Sequence, residues 1–215
     1  MQDLAWTDRP QDRLLGEGDL EPVEVVNAAG ASPVLLICEH AGRAVPRRLG
    51  RLGLPEAEFD RHIAYDIGAE GLARALSRAI DAPLVLQRFS RLVVDCNRPP
   101  HARDFIPESS DGTPVPGNAR LCAGERALRE AEIHRPFANR VSAMLAGRRA
   151  RGPAALVAVH SFTPMLATQG VPRPWHAGLL FRRDGRLSRT LMAALLAQDP
   201  ALVAALNEPY RVTED

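Results

Sequence analysis

Residues 34–43 read VLLICEHAGR, and this stretch decides the fold. Five apolar residues, Val34 to Cys38, run directly into Glu39 and His40. A short apolar run of this kind suits a strand of a parallel sheet that is buried on both faces. The pattern occurs twice more: LVV (92–94) precedes Asp95, Asn97 and Arg98, and ALVAV (155–159) precedes His160. Ligands of open α/β sheets bind beyond the carboxyl ends of the strands, so the three polar clusters are expected to converge.

The segments around these runs read as alternating helices and strands. DRHIAYDIGAEGLARALSRAI (60–80) sets Ile63, Ile67, Leu72, Leu76 and Ile80 at largely helical spacing, with Asp66 near the front of the helix. Pro83 closes that helix and opens a strand, PLVLQ (83–87). A second helical pattern covers 124–149 and is offset by Pro136, which has no N–H for a helix interior. Residues 99–118 are rich in Pro, Ser, Asp and Gly and read as a long surface loop. HAGLLF (176–181) reads as a further strand and LSRTLMAALLAQ (187–198) as a further helix. The alternation predicts an α/β protein with a mostly parallel sheet covered on both faces, in three α/β/α layers. A chain of 215 residues fits one domain over residues 1–215.

Composition narrows the function classes. A net charge of +1 lacks the basic excess of a dedicated nucleic-acid binder. Every basic residue is arginine, which removes Schiff-base and lysine-nucleophile chemistry. Cys38, Cys96 and Cys122 are odd in number and widely spaced, so neither a disulfide framework nor a thiolate zinc site fits, and a cytoplasmic setting is expected. The N-terminus has no basic segment followed by an apolar one, and no stretch approaches the roughly 20 apolar residues of a membrane span. Neither export nor membrane anchoring is expected.

His40 and His160 both follow apolar runs, and a neutral imidazole fixed at a strand end is a common metal ligand. Each could equally be structural. Asp66 is the best third candidate, either as a ligand or as a carboxylate serving the positive end of its helix. Glu39 is a ligand, a general base, an orienting group or a solvated carboxylate, and in a continuing strand it would point away from His40. Ser161 lacks the G-x-S-x-G context of a nucleophile elbow. His62 and His134 are further nitrogen donors on helical patterns. Asp95, Asn97 and Arg98 read as an anchor for a substrate carboxylate, since a guanidinium fork matches one, or as a structural Asp95–Arg98 ion pair.

Taken together, CEHAGRAVP, YDIGA, SRLVVDCNRPP, IHRPF, VHSFTP and NEPY, in that order from Val34 to Tyr210, resemble the N-formylglutamate amidohydrolases. The resemblance implies a zinc carboxypeptidase-like (phosphorylase/hydrolase-like) fold and hydrolysis of N-formyl-L-glutamate, or a related N-acyl amino acid, to formate or another acid. It implies one zinc ion with His40, Asp66 and His160 as ligands, and a substrate carboxylate held by Asn97 and Arg98 with His134 nearby. Members of the family continue beyond N-E-P-Y into strands that include a glutamate-bearing one, whereas this chain stops at Asp215, so a C-terminally shortened version is expected. Glu39 and Glu208 are then the candidate general bases. The competing expectations are a metal or small-molecule binding domain without the base, and a deacylase of another N-acyl amino acid.

Overall fold

The computed structural model describes residues 13–210. Residues 1–12, which carry most of the N-terminal stretch read above, and residues 211–215, which include Glu214, lie outside them. The chain forms two compact units, Met1–Phe162 and Thr163–Asp215.

The first unit is built on a four-stranded sheet. Its strands are β1 (Val23–Val26), β2 (Val34–Cys38), β3 (Leu84–Gln87) and β6 (Ala155–Ala158), in spatial order β1-β3-β2-β6. β2 is parallel to both β3 and β6, while β1 runs antiparallel along the outer side of β3. The register aligns Leu36 with Leu84, Ile37 with Val85 and Cys38 with Leu86. Because side chains alternate along a strand, each pair faces the side opposite its neighbour.

Helices cover both faces. On one, helix α1 (Ala69–Ala79) lays Ala69 and Ala73 against Leu36, Cys38, Leu84 and Leu86. On the other, Phe137, Val141, Met144 and Leu145 of helix α3 (Arg135–Arg149) pack on Leu35, Ile37 and Val85. This is the three-layer α/β/α arrangement with a mostly parallel sheet that the alternating pattern predicts. The chain leaves β2 through α1 to reach β3 on one side, then crosses by α3 to β6 on the other. The strand order therefore reverses at β2, and such a switch point opens a crevice beyond the carboxyl ends of β2 and β6.

Three local expectations need correcting. Helix α1 starts at Ala69, so Asp66 precedes it, and its buried face is Ala69, Ala73 and Ser77, whereas Ile67, Leu72 and Ile80 are exposed. Small side chains let this helix lie close on the sheet, and periodicity read from the large apolar residues chose the wrong face. Leu92, Val93 and Val94 are fully buried but form turns, with the Val93 N–H donating to Ser90 and the Arg98 N–H to Asp95, so the run is not a strand. Residues 99–118 are no plain surface loop either. They include a small hairpin of β4 (Ser109–Ser110) and β5 (Thr113–Pro114), and they bury Phe105, Ile106 and Val115 in a second core with Leu52, Phe59, Ile63 and Ile133. Fully buried Arg129 ties this segment down by donating to the carbonyls of Val93 and Gly117 and to Asn118 Oδ1.

Pro136 acts as expected. Helix α2 (Ala123–Arg129) runs into a π-helical turn, Glu130–His134, before α3 begins, and a widened turn absorbs the N–H that proline lacks.

The second unit is a β-α-β arrangement. Strands β7 (Ala177–Leu179) and β8 (Ala204–Leu206) are parallel and are joined through helix α4 (Arg186–Gln198). Both the strand and the helix read from this part of the sequence are present. Among the described residues no helix is long and apolar enough to cross a membrane.

Candidate metal centre

Three loops deliver side chains to the crevice at the switch point. Glu39 and His40 leave the end of β2, and the Asp66 N–H donates to the His40 carbonyl at 3.0 Å, which binds the Asp66 loop to that strand end. His160 follows the end of β6, where the Val159 N–H still donates to Ile37. Gly42 makes the turn after His40 fit. Its N–H donates to the Gln87 carbonyl, and a Cβ there would lie 1.8 Å from the Arg88 carbonyl oxygen.

One nitrogen or oxygen from each of His40, Asp66 and His160 lies within 4.8 Å of those from the other two, and the imidazole centroids of His40 and His160 are 5.0 Å apart. Asp66 bridges the pair: His160 Nδ1 is 2.9 Å from its Oδ2 and His40 Nδ1 is 3.4 Å from its Oδ1. The Ser161 N–H also donates to Oδ2. Behind His40, Nε2 donates to Asp95 Oδ1 at 2.7 Å, and the Asn97 N–H donates to the same oxygen at 2.8 Å. Arg91 donates to Asp95 Oδ2 at 2.9 Å and reaches Asp66 Oδ1 at 3.4 Å.

The Asp95 contact fixes the tautomer of His40. With its proton on Nε2, neutral His40 turns the Nδ1 lone pair toward a carboxylate oxygen that also carries lone pairs. Nδ1 is buried without a good hydrogen-bond partner, and so is Glu39 Oε2, which lies 3.4 Å from His160 Nε2. Acceptors facing one another in a buried pocket call for a proton or a cation. A carboxylate behind a histidine whose other nitrogen is open is a recurrent support for a metal ligand. Two imidazoles and a carboxylate are also a common donor set for a catalytic divalent ion, so these residues fit one.

The same contacts govern the acidities. Burial pushes Asp66 and Asp95 upward, but the histidines beside both and Arg91 beside Asp95 outweigh it and hold the carboxyls well below the ordinary range. Burial lowers His40, yet Asp95 and Asp66 reverse that and leave its pKa raised. Glu39 is raised, since burial exceeds the pull of His160 and His40. A pocket holding carboxyls of opposite tendency separates a fixed anion from a proton carrier.

The structure therefore brings His40, Asp66, His160 and Glu39 together. Glu39 and His40 both line the site because the strand ends at Cys38, so strict alternation no longer applies. Asn97 is exposed and joins the site through its backbone, and Arg98 donates to Asp104 at 2.5 Å. His134, on the π turn, packs edge-on against Phe105 with centroids 5.1 Å apart and hydrogen-bonds the Arg98 backbone. His62 lies 3.2 Å from Asp111 at the hairpin. Glu208 belongs to the second unit, two residues after the end of β8, with its carbonyl against Gly178. Sequence reasoning misses the two supporting roles: Asp95 reads as part of a substrate anchor or as the ion-pair partner of Arg98, and Arg91, which pairs with Asp95 in the structure, is not singled out.

The family model described as N-formylglutamate amidohydrolase matches residues 32–214. A gene product of Agrobacterium tumefaciens of known crystal structure is 41% identical, with a TM-score of 0.86 over 92% of this chain and 77% of that one. The crystal structure of N-formylglutamate amidohydrolase from Ralstonia eutropha shares the fold at 19% identity, with a TM-score of 0.61 over 89% of this chain and 78% of that one. No curated protein matches the chain.

Proposed function

The chain belongs to the N-formylglutamate amidohydrolase family, and we propose that it hydrolyses the amide of an N-acyl amino acid, N-formyl-L-glutamate foremost, with one zinc ion held by His40, Asp66 and His160. The observation that carries this reading is the meeting of those three donors at the switch point, with Asp95 fixing the proton of His40 on the far nitrogen. The match over residues 32–214 spans both compact units, which supports reading residues 1–215 as one domain of this family.

A divalent ion in this donor set supplies Lewis acidity toward a carbonyl oxygen and makes water a competent nucleophile near neutral pH. The protein's own groups do the rest. Glu39 is buried and its pKa is raised, which makes it a stronger base than an ordinary carboxylate and suits it to take and return a proton. It removes the proton from the attacking water. The water oxygen bonds to the formyl carbon, the carbon–nitrogen bond breaks, and Glu39 gives the proton to the departing amine. Glu208 is the second candidate for this transfer. Asn97 and Arg98 hold the substrate carboxylate, which turns binding into orientation of the amide. His134 supports that turn through the Arg98 backbone.

The test is formate release from N-formyl-L-glutamate, with N-acetyl and N-succinyl amino acids as alternatives, by wild type, Glu39→Gln and Glu208→Gln. Loss of about 10²- to 10⁴-fold in kcat for Glu39→Gln, with metal content kept, supports the assignment. The same loss in Glu208→Gln alone moves the base to Glu208. Release of a different acid from another N-acyl amino acid changes the substrate, and bound metal with no turnover on any of them leaves a binding domain.

A further inference from the structure

We infer that Arg91 is the positioning residue of the metal centre: it locks the Asp66 and Asp95 carboxylates in place from behind. The inference rests on the metal reading above. Arg91 reaches three points around the site. Its backbone N–H donates to the Ala64 carbonyl at 3.1 Å, two residues before Asp66, and its guanidinium spans Asp66 Oδ1 at 3.4 Å and Asp95 Oδ2 at 2.9 Å. The backbone that presents it is itself pinned, since the Ser90 hydroxyl donates to Ala64 and the Ser90 N–H to Ala44. One planar fork thus joins the candidate ligand Asp66 to the carboxylate that orients the candidate ligand His40. Planarity matters, because a guanidinium holds two oxygens in set directions and an ammonium does not.

Charge points the same way. Glu39, Asp66 and Asp95 are all buried at this site, and Arg91 is the cation that the described contacts place on two of them. With a divalent ion, three carboxylates and one arginine sum to zero. The Arg91 side chain is about three-quarters buried, at 26% exposure, so it is not a freely solvated surface residue.

Position and charge predict opposite signs for one experiment. If Arg91 acted by its charge alone, removing a cation from beside a dication would tighten metal binding. If it positions the two carboxylates, removal loosens their geometry and weakens binding, as loss of ligand-supporting groups does by about 10- to 100-fold. The experiment titrates metal-free wild type, Arg91→Gln and Arg91→Lys with Zn²⁺ against a chromophoric chelator, and records the visible absorption of the Co²⁺ forms. The expected result is 10- to 100-fold weaker Zn²⁺ binding and an altered Co²⁺ band shape in Arg91→Gln, with Arg91→Lys recovering affinity in part but not the band shape. Far-ultraviolet circular dichroism shows whether the variants keep the fold. Tighter or unchanged Zn²⁺ binding with an unchanged Co²⁺ spectrum in folded Arg91→Gln overturns the inference and leaves the metal reading intact. A wild type that binds neither ion overturns both.

Discussion

Replacing Asp95 separates its two oxygens, because each serves different partners. Oδ1 accepts from His40 Nε2 and from the Asn97 N–H, and Oδ2 accepts from Arg91. In Asp95→Asn, the amide oxygen can take the place of Oδ1 and keep the first two bonds, which turns the NH2 group toward Arg91, donor against donor. The loss is one charge-assisted hydrogen bond, about 1.5–3 kcal/mol, with the lower end expected because the Arg91 side chain is about a quarter exposed and so only partly desolvated. In Asp95→Ala all three donors lose their acceptor and Arg91 loses its anchored partner, and removing one side of a buried ion pair costs about 3–5 kcal/mol. The order is therefore wild type, Asn, Ala, with the second step as large as the first or larger. Urea unfolding of the chelator-treated proteins measures it, and Zn²⁺ titration of the same samples is expected to show affinity 10- to 100-fold weaker in both. If Asp95→Ala unfolds within about 0.5 kcal/mol of wild type, as a surface substitution would, the buried network does not hold His40 as described.

Three further outcomes are expected. Asp66 and Asp95 titrate below their unfolded values, so their stabilisation is complete above about pH 3.9 and is lost as pH falls through the folded values. Asp95→Asn should flatten that acid limb in the metal-free protein, and identical acid limbs would contradict the assignment. Burial pushes the Cys38 thiol up to about 12 and raises Cys96 as well, whereas Cys122 is exposed; a thiol reagent near neutral pH should label Cys122 rapidly and the other two only after unfolding. Gly42→Ala brings a methyl group against the Arg88 backbone, and it should destabilise by about 1–3 kcal/mol and weaken metal binding, since the turn carrying His40 must shift. An unaffected variant would mean that the turn is not held as tightly as its contacts imply.

What the sequence revealed of this site depended on how each residue reaches it. His40 and His160 were legible because each lies one or two positions past a short apolar run, and a parallel sheet collects such positions at one edge. Asp66 was legible as a candidate but not in its setting, since a hydrogen bond to the His40 carbonyl places it, not helix geometry. The pairing of Arg91 with Asp95 is hidden when LVV is read as a strand. In a strand, residues four apart are separated by about 13 Å; turned back on itself, the same segment brings their side chains to 2.9 Å. The buried alanine face of α1 was invisible for a related reason, because a pattern of large residues does not show where a helix must approach a sheet closely.

We propose that His40, Asp66 and His160 support a metal-dependent amide hydrolysis. The most direct measurement pairs metal content with formate release from N-formyl-L-glutamate, for wild type and for His40→Ala purified without chelator. One equivalent of zinc with formate release in the wild type, and loss of both in a folded His40→Ala, is the predicted result. Metal-free wild type whose formate release matches that of His40→Ala would contradict it.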